Sequence, residues 1–257
     1  MNRTPAVRIL NVLAYILLVG INALANILPL NGLNTGEISD RFSIFFVPAG
    51  YVFSIWGVIY LALGVFVIFQ ARSTNRSNEG LGRVDLLFLL SCAANIAWLF
   101  LWHYERFSLT LLAMLTLLGT LILIYTRLEI GRRPVSRGEF WAVHVPFSIY
   151  LGWVSVATIA NVSQVLYFFG WDGLGIAPEM WAVFMLVVTA GLASLMAVSR
   201  ADAAYLLVLI WAVVGIAIKQ SATPIVAITA WSVAAFLGFM LIIAFLQRKR
   251  WIHSTSG

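Results

Sequence analysis

Long apolar runs alternate with short polar segments along the chain. Eight such runs occupy residues 9–28, 51–69, 84–102, 109–125, 140–169, 180–198, 203–218 and 225–246. A helix needs about 20 residues to cross ~30 Å of hydrocarbon, with ~17 as a practical minimum. The pattern therefore predicts an all-α integral membrane protein with about eight spans. The fourth and seventh runs are short by this standard.

The second run carries more rings and small residues than a helix needs in order to sit in lipid. Phe53, Trp56, Tyr60 and Gly64 follow one another at spacings of three and four, so they share one helix face. A face of flat rings suits packing against another helix, and it equally suits a flat ligand. This run alone leaves both interpretations open.

Polar and aromatic side chains also recur at helical spacing in three other runs. They are Asn11, Tyr15, Asn22 and Asn26 in the first, Ser91, Asn95, Trp98 and Trp102 in the third, and Tyr150, Trp153, Ala157, Asn161, Gln164 and Phe168 in the fifth. An unpaired amide facing lipid is costly, so these stripes are expected to face the interior. Interhelical hydrogen bonding is enough to explain any single asparagine. Three such stripes beside the aromatic face of the second run instead favour a central ligand cavity.

Composition agrees with a membrane protein. The chain is 62 % hydrophobic and 10 % charged, with a mean hydropathy of +0.97, whereas about a quarter of the residues in a soluble domain are charged. No polar block is long enough for a separate soluble domain. The single cysteine, Cys92, excludes an internal disulfide and a multi-cysteine metal site.

The basic residues predict the orientation in the membrane. If all eight runs span, thirteen basic residues share one side: Arg3, Arg8, Arg72, Arg76, Arg83, Arg127, Arg132, Arg133, Arg137, Arg200, Arg248, Lys249 and Arg250. The other side carries three, Arg41, Arg106 and Lys219. This asymmetry predicts an even number of spans with both termini in the cytoplasm. Because the charges sit in short loops, we expect the lipid bilayer as a partner and no nucleic acid.

Carboxylates are not found in the interior of the predicted spans. All ten acidic residues lie in loops or at span ends, whereas proton relays and ion-coupled carriers place carboxylates within the membrane. The histidines show no metal-binding spacing. We therefore predict no catalytic residue and no metal site.

Three ordered motifs resemble one family. Residues 48–64, PAGYVFSIWGVIYLALG, resemble the tryptophan- and proline-containing second-helix segment of the tryptophan-rich sensory/translocator protein family (TspO/MBR). Residues 95–98, NIAW, resemble its third-helix N-x-x-W, and residues 150–161, YLGWVSVATIAN, resemble its fifth-helix motif. The resemblance covers residues 5–170 and implies a five-helix bundle with a pocket beneath the first extramembrane loop.

The resemblance also implies a ligand site. Together with the aromatic and polar faces, it predicts these ligand-binding residues: Phe53, Trp56, Tyr60, Asn95, Trp98, Tyr150, Trp153, Ala157 and Asn161. Residues 171–257 form a C-terminal extension of three predicted transmembrane helices and a basic cytoplasmic tail. The motifs do not explain this extension, which could cover the bundle, form a homodimer interface or alter access to the pocket.

The predicted function is that of a membrane-embedded binding or sensory protein for a flat hydrophobic ligand. The resemblance makes a tetrapyrrole the first candidate and an isoprenoid or carotenoid the next. No cofactor is required, although the ligand itself could be a bound porphyrin, haem or carotenoid. The alternatives are a transporter or permease for such a ligand, and a membrane enzyme that acts on it.

Overall fold

The computed structural model describes residues 3–28 and 30–254, with side chains described as far as residue 247. Over this part the chain forms eight long helices: α1 Pro5–Ile27, α2 Ile55–Ala71, α3 Asp85–His103, α4 Phe107–Arg127, α5 Val145–Phe168, α6 Pro178–Arg200, α7 Ala203–Lys219 and α8 Pro224–Ser254. Short helical turns at Gly50–Ser54 and Phe140–His144 lead into α2 and α5. No strand occurs among these residues, so the all-α prediction is confirmed.

Helix length matches the membrane prediction closely. Seven helices in the described part are long and apolar enough to cross a membrane, and α7 is apolar but has only 17 residues. The expectation that the fourth span is short was wrong. The helix α4 reaches 21 residues because it continues into the less apolar residues at both ends of the run. The chain is a multi-pass membrane protein.

The first five long helices close into a ring. Consecutive contacts run from α1 to α3, α4, α5 and α2, and from α2 back to α1. The helix α5 carries 13 buried residues, more than any other helix of the ring. Motif residues of α5, including Trp153 and Asn161, are therefore buried inside the protein.

The extension attaches to this ring through α7. Helix α7 packs on α5, while α6 and α8 pack on each other and on α7. Ten of the 17 residues of α7 are buried, compared with five residues of α6. Gly152 of α5 permits the close approach, because a Cβ there would lie 3.2 Å from the Tyr205 carbonyl oxygen and from Val208 Cβ. The seventh apolar run therefore forms a short helix that is packed between α5, α6 and α8.

Buried polar contacts tie the helix ends together at one end of the bundle. Arg3 pairs with Asp85 at the start of α3, and its guanidinium also donates to the Gln70 side chain (2.7 Å). Asn11 of α1 donates to the same Asp85 carboxylate at 2.7 Å. The N-terminal residues and the ends of α2 and α3 therefore meet here.

The junction with the extension lies at the same end. Asp202, between α6 and α7, accepts hydrogen bonds from Tyr125 Oη (2.7 Å), from Ser148 Oγ (2.6 Å) and from the Tyr205 amide (3.1 Å). Burial raises the pKa of the Asp202 carboxyl, and these donors oppose the rise. One carboxylate thus joins α4, α5 and α7.

Ion pairs at the opposite end connect the loop after α1 with the loop after α3 and with the end of α7. Arg41 pairs with Glu105 at 2.5 Å, and Lys219 pairs with Asp40 at 2.5 Å. The helices therefore alternate in direction, as the charge pattern requires. The sidedness in the membrane stays a prediction. The side chains of the predicted basic tail, Arg248, Lys249 and Arg250, lie outside the described residues.

Candidate functional site

The loop after α1 folds over the ends of the helices. It contains the short helix Thr35–Asp40, which begins with a capping box: Asn34 Oδ1 accepts from the Glu37 amide (3.0 Å), and the Glu37 carboxylate accepts from the Asn34 amide (2.7 Å). Trp102 of α3 donates from its indole N–H to the Thr35 carbonyl at 3.2 Å. This segment, residues 30–47, is called the lid below.

A cavity of about 300 Å³ lies between the lid and the ring. It is lined by Asn22, Asn26, Asn34, Thr35, Gly36, Gly50, Phe53, Ser54, Trp56, Tyr60, Trp98 and Leu99. The amides come from α1 and the lid, whereas the rings come from α2, α3 and the turn before α2. One wall is therefore polar and the other aromatic.

A second cavity, of about 40 Å³, adjoins the first. The two share four lining residues: Thr35, Phe53, Trp56 and Trp98. The smaller cavity is completed mainly by α5, which contributes Trp153, Val156, Ala157, Ala160, Asn161 and Gln164. All five helices of the ring except α4 thus contribute to the two cavities.

Seven of the nine residues predicted to bind ligand line these cavities. Asn95 and Tyr150 line neither of them. They form a chain behind the wall, in which Asn22 donates to Asn95 Oδ1 (3.0 Å) and Asn95 donates to Tyr150 Oη (3.0 Å). This chain orients the Asn22 amide, so the structure places Asn95 and Tyr150 as supports of the cavity wall.

Aromatic contacts bring the motifs of α2 and α5 together. The ring of Trp153 meets those of Phe53 and Trp56 edge-on, with centroids 5.8 and 6.1 Å apart. Trp56 also stacks on Tyr60 at 5.7 Å. Ring edges and faces therefore surround the small cavity and form one side of the larger one, which suits a flat apolar guest.

Three buried polar atoms in the wall have no hydrogen-bond partner within the described part of the chain. They are Trp98 Nε1, Trp153 Nε1 and Asn161 Oδ1. The three side chains are 8 %, 2 % and 2 % exposed, respectively. The Asn161 amide nitrogen is used, because it donates to Thr110 Oγ1 at 3.0 Å. An unmet buried polar atom costs about 1–3 kcal/mol, so a ligand that satisfies these atoms would recover that cost.

The side chains that line the two cavities are aromatic, amide-bearing, hydroxyl-bearing or apolar. No carboxylate, histidine or cysteine lines either cavity among the described residues, and no group of three such residues in that part could hold a metal ion. The arrangement offers ring stacking, apolar burial and several amides, and two indole N–H groups are buried within the wall itself.

Sequence reasoning missed part of the polar wall. Asn22 and Asn26 belong to the stripe of the first run, yet they were not included among the predicted ligand residues. Asn34 and Thr35 come from the lid, whose fold over the bundle has no periodic signal in the sequence. Helical spacing predicted that α1 faces inward, and the family resemblance implied a pocket beneath this loop, but neither identified which residues of the loop line it.

Comparison with known families supports the motif assignment. The model of the family described as "TSPO-like protein" matches residues 8–243, which includes the extension as far as residue 243. A search of curated proteins and a search of solved structures each found no match.

Proposed function

Because the chain belongs to the TSPO-like protein family, we propose that it is a membrane-embedded binding protein for a flat hydrophobic ligand that carries hydrogen-bond acceptors. The observation that carries the proposal is the pair of adjoining ring-walled cavities with two unpartnered indole N–H groups, those of Trp98 and Trp153. Rings recognise a flat apolar body, and the unpartnered donors select an acceptor at its edge.

A tetrapyrrole is the first candidate ligand. Its macrocycle offers a flat face for Trp56 and Phe53, and its carboxylate side chains offer acceptors. The larger cavity is near the lower end of the ~300–1,000 Å³ range of ligand pockets, so the lid has to move to admit a whole macrocycle. An isoprenoid or carotenoid is the second candidate, favoured by the narrow volume beside Trp153.

Binding of protoporphyrin IX to the purified protein tests this proposal. In titrations followed by porphyrin absorbance, Trp56→Ala is expected to weaken binding by about 1–3 kcal/mol, the scale of burying a large apolar side chain. Trp56 lines both cavities. The matched control is Trp231→Ala, because Trp231 lies on α8 and is 51 % exposed. Binding must be measured on folded protein, since Trp56 also packs on neighbouring rings.

Equal affinity of Trp56→Ala and the parent protein would place the ligand elsewhere. A permease for the same ligand is the alternative function, and a flux assay in proteoliposomes separates the two. Retention of porphyrin on the protein supports a binding protein. Equilibration of porphyrin across the membrane that depends on the protein supports a permease.

A further inference from the structure

The extension reaches the wall of the larger cavity without lining it. Helix α7 runs beside the turn Gly50–Ser54, which contributes Gly50, Phe53 and Ser54 to that cavity. No residue after 170 lines either cavity within the described part of the chain. Helix α7 therefore acts on the cavity walls from behind, through this turn and the lid and through α5, on which it packs.

Two hydrogen bonds fix the turn to α7. The Ala49 amide donates to the Gly215 carbonyl at 3.1 Å, and the Trp211 indole donates to the Val52 carbonyl at 3.1 Å. No side chain caps the turn at its start. The extension thus supplies the acceptor for the amide of Ala49, the residue at which the turn begins.

Close packing fixes the same turn. A Cβ at Gly215 would lie 2.2 Å from Val52 Cγ2 and 3.1 Å from Pro48 Cβ. Val52 is fully buried, and its branched side chain has little freedom to move aside. Only glycine at position 215 lets the turn approach α7 this closely.

The extracytoplasmic end predicted for α7 also holds the lid. Lys219 pairs with Asp40 at 2.5 Å, and the Gln220 side chain donates to the Phe45 carbonyl at 3.1 Å. Asp40 ends the short lid helix. The helix α7 and the residue after it therefore contact both the turn and the lid.

We infer that α7 is a built-in part of the ligand site, in which Trp211 and Gly215 are positioning residues that set the turn carrying Phe53. The inference deepens the proposed function, because it assigns the extension the task of fixing the shape and closure of that same cavity. It also gives the extension a role beyond covering the bundle.

The test uses the full chain with Gly215→Ala, which must displace the turn. Hydrogen exchange of the peptide covering residues 45–54, measured without ligand, is expected to speed up. Protoporphyrin IX affinity is expected to fall about tenfold, the scale of a moderate overpacking strain. Gly191→Ala on α6 is the matched control, because a Cβ there meets no atom within 4 Å.

A second substitution separates displacement of the turn from misfolding. In Gly215→Ala with Val52→Ala, the clashing methyl group is removed, so exchange and affinity are expected to recover towards the values of Val52→Ala alone. Trp211→Phe keeps the ring and removes the donor, and it is expected to speed exchange of the same peptide.

Each readout has an outcome that overturns the inference. Unchanged exchange in both Gly215→Ala and Trp211→Phe would show that α7 does not hold the turn. Faster exchange with unchanged affinity would show that the turn does not shape the site. If the parent protein does not bind protoporphyrin IX, the tetrapyrrole proposal fails, and the exchange comparison still decides whether α7 positions the turn.

Discussion

The five-helix ring and the three-helix extension are both built from apolar helices, yet their interiors differ. The ring buries amides along α1, α3 and α5, and it contains the partnerless Trp98 and Trp153 indoles. In the described part of the extension, the buried polar side chains are Thr189, which bonds its own helix, and Asp202 at the junction. The comparison teaches that buried polar groups are concentrated in the ring, where some of them line the cavities, whereas the extension is built for packing.

The largest expected effect is a loss of stability when Asp202, at the junction between the ring and the extension, is replaced. Asp202→Ala removes the acceptor for Tyr125 and Ser148 and leaves two buried hydroxyls unmet, so we expect the free energy of unfolding to fall by about 3 kcal/mol. Denaturant titration in detergent measures this loss. Asp172→Ala is the control, because Asp172 lies in an exposed loop and caps only a short turn. Equal stability of both variants would show that this carboxylate does not join the two regions.

A smaller effect is expected when one indole N–H is removed from each region, Trp153 in the ring and Trp211 in the extension. Trp153→Phe keeps a ring and removes an N–H that has no partner in the protein, so stability is expected to change little. Protoporphyrin IX binding is expected to weaken by about 1 kcal/mol, the net value of one hydrogen bond. Trp211→Phe removes an N–H that bonds Val52, so it is expected to lose stability.

We therefore expect Trp153→Phe to change mainly the affinity for porphyrin and Trp211→Phe to change mainly the stability. Thermal unfolding and porphyrin titration on the same preparations make the comparison. A loss of stability in Trp153→Phe without a change in affinity would mean that its N–H serves the fold, and the distinction between the two regions would fail.

The helices could be predicted from the sequence because hydrocarbon demands long apolar segments with all backbone groups bonded internally. The inward faces followed from stripes such as Asn95 and Trp98. Periodicity identifies which face of a helix points inward, but it does not identify the groups that this face contacts. Asn95 was therefore predicted to contact ligand, whereas it accepts a hydrogen bond from Asn22. The contact of α7 with the turn could not be predicted, because glycine at 215 has meaning only once Val52 is placed against it.

Indole resonances test the central claim most directly. The chain has ten tryptophans, and each ¹⁵N-labelled indole N–H gives its own signal, assignable by single Trp→Phe variants. On addition of protoporphyrin IX, the signals of Trp98 and Trp153 are expected to shift most, because their free donors meet the ligand's acceptors. The signal of Trp231, exposed on α8, is expected to stay in place. Stationary Trp98 and Trp153 signals in a porphyrin-bound protein would contradict the account.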